Sequence, residues 1–428
     1  MEGIYRKLKY LVPNRIAYRF NTLAGSSRIN DVFLLFYDLI FHSKNSILRF
    51  ENLFQDISKI DNVYSFGSGR MALYSSLKAL NIGKGDEVII PAFTCVVVAN
   101  AIIYSGAKPI YVDINFGDFN IDVTKIEDKI TPNTKAVYAQ HTFGKLCDLI
   151  SLKKICEEKN LYLIEDAAHC LANNENILIG SLSDITFFSF DHSKMINTYS
   201  GGVACTNNKL IGDKLCKIQK DAKELKVSQK AKLIFSFLLE VIFYHPNLLW
   251  IGDVVLKVFT KLKLTFSFDD QLVITKPNKY PFPCKFTSSQ ALIGMRQLER
   301  YENNITKRKK IVCMLSNFLC EDTKKLNNHN LPLLRYSFLV KNRKLFEKKF
   351  KKNFDLQIWF TSVVHMRNHD LHEVKYIKGS CPKAEKAAKH IVNFPTHERI
   401  NLPILKNELI KNLSWIKNQM LDSNERNF

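Results

Sequence analysis

Short apolar runs alternate with amphipathic runs between about residues 63 and 206. The apolar runs are rich in β-branched and aromatic residues and predict strands at 87–90, 109–113, 136–139, 161–165, 185–190 and 203–206. The amphipathic runs predict helices at 70–80, 97–105, 123–130 and 149–159. This alternation indicates an α/β fold, a mostly parallel sheet sandwiched by helices. Ligands of such sheets bind beyond the carboxyl ends of the strands.

The apolar pattern divides the chain into four parts. Residues 1–30 form a basic N-terminal extension, 31–222 the large sheet domain, 223–280 an apolar insert and 281–428 a C-terminal domain. The last part begins with a charge-rich helical pattern at 288–320 and continues with short strands and helices, which predicts a smaller α+β domain. Basic side chains alternate with aromatic and aliphatic ones at 1–20, a pattern typical of an amphipathic helix. We prefer a helix packed on the body by its apolar face, and a helix on a membrane surface is the alternative.

The insert contains an unusually apolar stretch at 231–264, which Pro246 interrupts. A membrane-spanning helix needs about 20 mostly apolar residues in a row, so the stretch does not predict one. Two short helices broken at Pro246 fit the pattern better. We expect them to form core or a subunit interface, and contact with a membrane surface is the alternative.

The charge balance is strongly basic, because 62 Lys and Arg residues face 41 Asp and Glu residues, giving a formal net charge of +21. Such a surplus favours anionic partners, although lysine is abundant everywhere and composition alone can explain part of it. No helix-turn-helix, zinc-finger or aromatic RNA-binding motif occurs in the sequence, so no nucleic-acid partner is predicted.

The ten cysteines are scattered, and none forms a Cys-x-x-Cys pair. This pattern predicts neither a zinc ribbon nor a thioredoxin-like motif, and we expect no metal. The N-terminus lacks a long apolar run ahead of a cleavage site. We therefore expect reduced cysteines and a cytoplasmic protein, with membrane association through the insert left open.

A lysine follows the predicted strand 185–190 in the sequence Phe-Ser-Phe-Asp-His-Ser-Lys, and Gly201 and Gly202 come after it. At the edge of a sheet the amine of Lys194 would be partly desolvated, which lowers its pKa and makes it a nucleophile toward an aldehyde. Ser189 could donate its hydroxyl to a phosphate. Taken alone, the segment favours an ordinary surface lysine on a turn.

The predicted strand 161–165 leads into two carboxylates, Glu165 and Asp166, in the sequence Leu-Tyr-Leu-Ile-Glu-Asp-Ala-Ala-His. A carboxylate buried at a strand end is costly unless a cation lies beside it. The protonated pyridine nitrogen of pyridoxal 5'-phosphate (PLP) is such a cation, and Asp166 is the candidate partner. Capping of the next helix is an equal alternative on this segment alone.

A turn of small residues, Phe-Gly-Ser-Gly-Arg at 66–70, enters the predicted helix 70–80. The unpaired N–H groups and dipole of a helix N-terminus form an anion site, so Ser68, Gly69 and Arg70 could hold a phosphate. The turn matches neither a P-loop nor a dinucleotide fingerprint, so NAD is not indicated. An ordinary capped helix is the alternative.

Two further segments follow predicted strands, Pro-Ala-Phe-Thr-Cys at 91–95 and His-Thr-Phe-Gly at 141–144. Both positions are expected to line a pocket at the sheet edge. Without the other segments, His141 would be interpreted as a core histidine.

Together, the order and spacing of these segments resemble the DegT/StrS group of sugar aminotransferases, which are PLP enzymes of fold type I. The likeness runs from about residue 66 to 206, resumes at 287–300 and 393–400, and is weak across the insert and before about residue 31. It implies PLP as cofactor and a homodimer with a shared active site.

The resemblance also implies roles for individual residues. Lys194 corresponds to the lysine that binds the cofactor covalently, and Asp166 to the partner of the pyridine nitrogen. The other matches are Ser68, Gly69, Arg70 and Ser189 for the phosphate, Lys285 for a phosphate contact from the neighbouring subunit, His169 beside the ring and His141 toward the substrate.

Three features depart from the family pattern. Cys95 lies where many relatives place an aromatic residue that stacks on the cofactor, a role that Phe93 could take over. Pro283 replaces an Asn before the contact with the second subunit. The insert is longer and more apolar than expected, and it lies near the expected substrate entrance.

The resemblance implies transfer of an amino group, from glutamate by analogy, to a nucleotide-linked keto-deoxysugar for surface glycans. A PLP-dependent sugar dehydratase is one alternative, but such relatives carry His at the position of Lys194, and His192 lies two residues earlier. A non-catalytic binding or regulatory protein of the same fold is the other, and the departures at Cys95 and Pro283 keep it open.

Overall fold

A seven-stranded sheet forms the centre of the computed structural model, which describes residues 27–41, 43–171, 178–245, 248–268, 275–319, 331–351, 354, 356, 358–367 and 369–421. Its strands are β1 (Asn62–Phe66), β2 (Glu87–Pro91), β4 (Lys108–Val112), β5 (Thr134–Gln140), β6 (Tyr162–Asp166), β7 (Ile185–Ser189) and β8 (Gly202–Thr206); the short β3 (Thr94–Cys95) lies outside it. The order is β1-β8-β7-β6-β5-β2-β4.

The sheet is mostly parallel, as predicted. Strands β4, β2, β5, β6 and β7 pair in parallel, whereas β8 is antiparallel to both β7 and β1. The register pairs Gln140 with Asp166 and Asp166 with Phe187. Polar side chains from neighbouring strands therefore meet at one carboxyl edge. All six predicted strands are confirmed to within one residue at most ends, and β1 is an additional strand.

Helices cover both faces of the sheet. They are α1 (Ile29–Phe41), α2 (Ser46–Ser58), α3 (Gly69–Ala79), α4 (Val96–Ser105), α5 (Leu149–Glu158) and α6 (Lys209–Asp221). Strand residues alternate between two cores: Val88 and Tyr138 belong to one buried cluster, and Ile89 and Val137 to another. This period of two shows that both faces are buried, which explains why the strands are almost uniformly apolar.

The predicted helix at 123–130 is wrong. The chain forms two 3₁₀ turns instead, Val123–Lys125 and Glu127–Lys129. The Asp122 side chain accepts hydrogen bonds from the backbone and hydroxyl of Thr124, which favours a tight turn over a helix. Ile126 is the fully buried residue of the segment. One apolar anchor does not provide the continuous stripe that holds an amphipathic α-helix.

The insert forms two helices, α7 (Val227–Phe243) and α8 (Leu249–Lys261), which confirms the predicted pair. Pro246 lies outside the described residues, as do 1–26 and 422–428. Searched over the described ranges, no helix is long and apolar enough to cross a membrane.

The C-terminal part contains helices and a two-stranded sheet. Its elements are α9 (Ser288–Leu298), α10 (Tyr301–Leu319), β9 (Arg335–Leu339), α11 (Arg343–Phe350), β10 (Val364–His365), α12 (Pro382–His390), β11 (Ile391–Pro395) and α13 (Leu402–Gln419). Strands β9 and β11 pair antiparallel, whereas β10 pairs with β3. This last pairing brings Trp359, Phe360 and His365 to the carboxyl edge of the large sheet.

Candidate active site

A cavity of about 270 Å³ opens at the carboxyl edge of the parallel strands. Eight of the eleven predicted site residues line it: Ser68, Gly69, Arg70, Cys95, Asp166, His169, Ser189 and Lys194. These residues span more than a hundred positions of sequence, and the strand order brings them together. Phe93, His141 and Lys285 do not line this cavity.

Lys194 lies in a tight loop between β7 and β8. Its backbone N–H donates to the Asp191 carbonyl at 2.9 Å, and Phe190 closes the loop with a bond to the Gly201 carbonyl at 2.8 Å. The lysine is only 9% exposed. Burial lowers the pKa of the Lys194 amine, and Asp166 and Asp191 partly oppose that shift. A larger fraction of neutral, nucleophilic amine is therefore present than on an exposed lysine.

Asp166 ends β6 and is also buried. Its carboxylate accepts a hydrogen bond from the Tyr138 hydroxyl and another, at 2.8 Å, from the backbone N–H of Ala168. Burial raises the pKa of Asp166, while these two bonds and the charge of Lys194 lower it. The carboxylate is thus held in a fixed orientation, with a cation as its most favourable further partner.

The turn before α3 forms the third wall. Ser68 is the N-cap of α3, and its hydroxyl accepts from the backbone N–H of Met71. Gly69 is needed for a close approach, because an added Cβ would lie 2.6 Å from the Cβ of Ser189. The N–H groups of the first helical turn lack acceptors within their own helix. Together with the Ser189 hydroxyl they suit a phosphate.

His169 also lines the cavity. Its Nδ1 accepts from the backbone N–H of Phe143 at 3.1 Å, which in a neutral ring leaves the proton on Nε2. The ring stacks on Phe143, with an interplanar angle of 13°. Burial holds the pKa of His169 well below its usual value, so the ring is neutral. A flat, uncharged ring can lie against an aromatic ligand.

The other three predicted residues have different surroundings. Phe93 is fully buried and packs edge-on against Phe360 at 5.2 Å. His141 is fully buried too, and its Nε2 lies 2.9 Å from a Glu165 oxygen while its Nδ1 accepts from the backbone N–H of Cys147. Lys285 pairs through its backbone with Phe66, ahead of the turn at 67–69.

Sequence reasoning missed several residues that shape the cavity. Tyr138 lies two positions before Gln140 on β5, so it shares a sheet face with a residue that lines the cavity. That periodicity was the available signal. Trp359 comes from the C-terminal part, and its ring centre is 4.9 Å from the Lys194 Nζ. No sequence pattern links it to a lysine 165 positions earlier; their proximity depends on the pairing of β10 with β3.

The loop after Lys194 is held by buried polar contacts to the insert and to α9. The Asn197 side chain donates to Glu240 of α7 at 2.5 Å, and its backbone N–H donates to Gln297 at 2.8 Å. Glu240 is 4% exposed, and burial raises its pKa to about 7. The charges facing it are His192, which lowers the pKa, then Asp191, which raises it, and Arg399, which lowers it.

We predict that Glu240→Gln changes how stability depends on pH. In wild type the folded-state pKa lies above the ordinary 4.5. Unfolding therefore releases a proton between about pH 4.5 and 7, and stability falls as pH rises through that window, by about 3 kcal/mol in all. The glutamine of this variant can still accept from Asn197 without this cost. Denaturant unfolding at pH 5 and 8 should show the variant gaining stability relative to wild type at pH 8.

Glu240→Leu is the matched control, because it removes the charge and also leaves the Asn197 amide without this acceptor. We expect it to be less stable than Glu240→Gln at both pH values. Parallel stability curves for wild type and Glu240→Gln from pH 5 to 8 would contradict the prediction.

The fold and cavity together define an α/β protein in which a buried amine, a buried carboxylate and the N-terminus of a helix face one cavity. The chain belongs to the DegT/DnrJ/EryC1/StrS aminotransferase family, whose model matches residues 37–237 and 268–406. The resemblance found in the sequence is therefore confirmed. Residues 238–267, which include all of α8 and the last turns of α7, lie between the two matched ranges.

Curated relatives match over part of their length. GDP-perosamine synthase of Vibrio cholerae is 37% identical over 172 residues, which are 40% of this chain and 47% of the relative. A UDP-N-acetyl-3-dehydro-alpha-D-glucosamine 3-aminotransferase of Acidithiobacillus ferrooxidans is 38% identical over 136 residues, 32% of this chain and 37% of the relative. The chain thus spans about half the length, or less, of these relatives.

A solved structure matches over nearly the whole chain. NtdA from Bacillus subtilis, crystallised with bound cofactor PMP, has a TM-score of 0.70 at 22% identity, and the match covers 96% of this chain and 92% of that one. The likeness establishes the fold, that of fold type I PLP enzymes, and confirms the predicted fold class.

Proposed function

We propose that the protein is a PLP-dependent aminotransferase that places an amino group on a keto sugar carried by a nucleotide. The observation that supports this most strongly is the convergence of Lys194 and Asp166, both buried, on one cavity that the N-terminus of α3 also lines. Family membership supports the same reaction class.

The residues present fit the cofactor. A buried carboxylate such as Asp166 gains from a cationic partner, and a protonated pyridine nitrogen supplies one. Gly69 packs closely against Ser189 and Gly202. This contact brings the N–H groups of the first turn of α3 near the Ser189 hydroxyl, and together these donors suit a phosphate. PLP, when bound, supplies an aldehyde that takes up amino groups and a ring that accepts electrons.

Lys194 has two tasks in this proposal. Its amine would hold the cofactor, and once an amino donor has freed it, the same amine would accept a proton from the substrate and return it. The lowered pKa of Lys194 suits both tasks, because the neutral amine is the form that attacks and accepts a proton. Asp166, oriented by Tyr138 and Ala168, would keep the pyridine nitrogen of the cofactor protonated.

The substrate class is proposed from the relatives. The names of two of them specify a GDP-linked and a UDP-linked sugar. An amino acid, glutamate by analogy, would be the donor. A homodimer in which Lys285 of one subunit reaches the other subunit's phosphate also remains a proposal, as do the ring contacts of Cys95 and Phe93 and a substrate contact of His141. The cytoplasmic location is likewise an expectation.

Half-reaction spectroscopy tests the proposal. Purified protein loaded with PLP should show an absorption band at the violet end of the visible spectrum. L-Glutamate should remove this band. A nucleotide-linked keto sugar should restore it, whereas the free sugar should not. A dehydratase would keep its band with every amino donor. A non-catalytic binding protein would not respond to either partner, and both of these results would refute the proposal.

A further inference from the structure

Helix α8 presents an apolar stripe to solvent. Ile251, Val254, Val258 and Leu262 are 36%, 43%, 50% and 61% exposed. Their spacing of three, four and four residues places them on one side of the helix and its C-cap. Most surface helices turn such a stripe toward the protein core, whereas the stripe of α8 faces solvent. Leu248 and Leu264, 39% and 43% exposed, extend the stripe at both ends.

The stripe is exposed because an adjoining side of α8 is already packed on α7. Phe259 meets Phe235 edge-on at 5.4 Å. Gly252 lies so close to α7 that an added Cβ would clash with the Phe243 carbonyl oxygen. The helix therefore cannot bury its stripe by rotating without losing these contacts.

Positive charge borders the stripe. Lys257, Lys261 and Lys263 are all exposed, and the Lys232 ammonium of α7 donates to the Lys263 carbonyl at 2.6 Å. Residues 248–264 contain these three lysines and a single acidic residue, Asp253. An apolar stripe flanked by lysines is typical of helices that lie in the plane of an anionic membrane surface.

We propose that α8 docks this protein on an anionic lipid surface. The charge argues against a second copy as occupant, because a two-fold contact through the same stripe would bring the lysines of both copies together. The family model does not match 238–267, so the surface belongs to the part of the chain that the family pattern leaves unaccounted for. Docking on lipid does not depend on the activity proposed for the cavity at Lys194.

Vesicle co-sedimentation of the full chain tests it. We expect binding to vesicles of phosphatidylglycerol and phosphatidylcholine, much weaker binding to phosphatidylcholine alone, and a loss of binding as salt rises. The double variant Val254→Glu and Val258→Glu should lower the partition coefficient at least about ten-fold. Lys257→Gln and Lys261→Gln should lower it roughly five-fold each.

The matched control replaces two exposed apolar residues elsewhere, Leu210 of α6 (75% exposed) and Ile410 of α13 (53% exposed), with Glu. It should bind like wild type, and thermal unfolding checks that every variant is folded. Three results would overturn the proposal: no preference for anionic vesicles, unchanged binding of the Val254 and Val258 double variant, or a dimer that this double variant converts to monomer in the absence of lipid.

Discussion

Replacing Lys194 by Arg is expected to lower the rate of amino transfer at least about 10⁴-fold. Arginine keeps the positive charge and much of the volume in the cavity, but its guanidinium remains protonated and can neither attack an aldehyde nor accept a proton. Steady-state turnover with the best donor and acceptor measures the loss. The variant should still bind PLP through Ser68, Gly69 and Arg70, so the loss of turnover would be chemical.

Lys145 provides the control, since it is also buried (8% exposed) but donates to the Gly117 carbonyl outside the cavity. We expect Lys145→Arg to keep turnover within a few-fold of wild type. A Lys194→Ala variant adds a positive test, because small primary amines in the buffer should restore part of its rate. Wild-type turnover in Lys194→Arg would show that this amine has no part in the reaction.

Replacing Asp166 by Asn is expected to lower turnover about 10²–10³-fold. Asparagine preserves the shape, but it removes the negative charge that a buried cation requires, and an unpaired buried charge costs about 3–5 kcal/mol. The pH profile should change as well, because the cofactor nitrogen would lose its proton at lower pH. Asp166→Glu, which keeps the charge, should recover part of the rate.

Asp113 separates this effect from general damage to a buried carboxylate. It follows the parallel strand β4 and is 3% exposed, but it caps α12 by accepting from the backbone N–H groups of Lys383 and Ala384. Asp113→Asn should lower the free energy of unfolding with little effect on kcat. If Asp166→Asn behaved in the same way, Asp166 would be a structural residue.

Sequence alone was sufficient for the parts of the fold that repeat a simple period. Strands β5 and β6 are apolar runs of strand length, and they end at the polar residues that predicted the site. Gly69 and Ser68 were recognisable as site candidates because a helix N-terminus that follows small residues can bind an anion through its unpaired N–H groups. The helix prediction for 123–130 was wrong because the sequence does not show which apolar residues are buried. Ile126 looked like part of a helical apolar stripe, but it is the one fully buried residue of the segment.

The rest of the site depends on tertiary contacts that have no local signal. Trp359 reaches Lys194 only because β10 pairs with β3. Glu240 looked like an interruption of an apolar stretch, and its partner Asn197 lies 43 positions earlier. The strand period could have placed Tyr138 on the sheet face of Gln140, but nothing local indicates that its hydroxyl donates to Asp166.

Borohydride trapping followed by peptide mass spectrometry tests the central claim most directly. Protein incubated with PLP, reduced and digested should carry the added mass of the reduced cofactor on the peptide containing Lys194, and the buried Lys145 should stay unmodified. Prior treatment with L-glutamate should prevent the labelling. Labelling that is absent, or that falls on other lysines while Lys194 remains free, would contradict the assignment of this cavity.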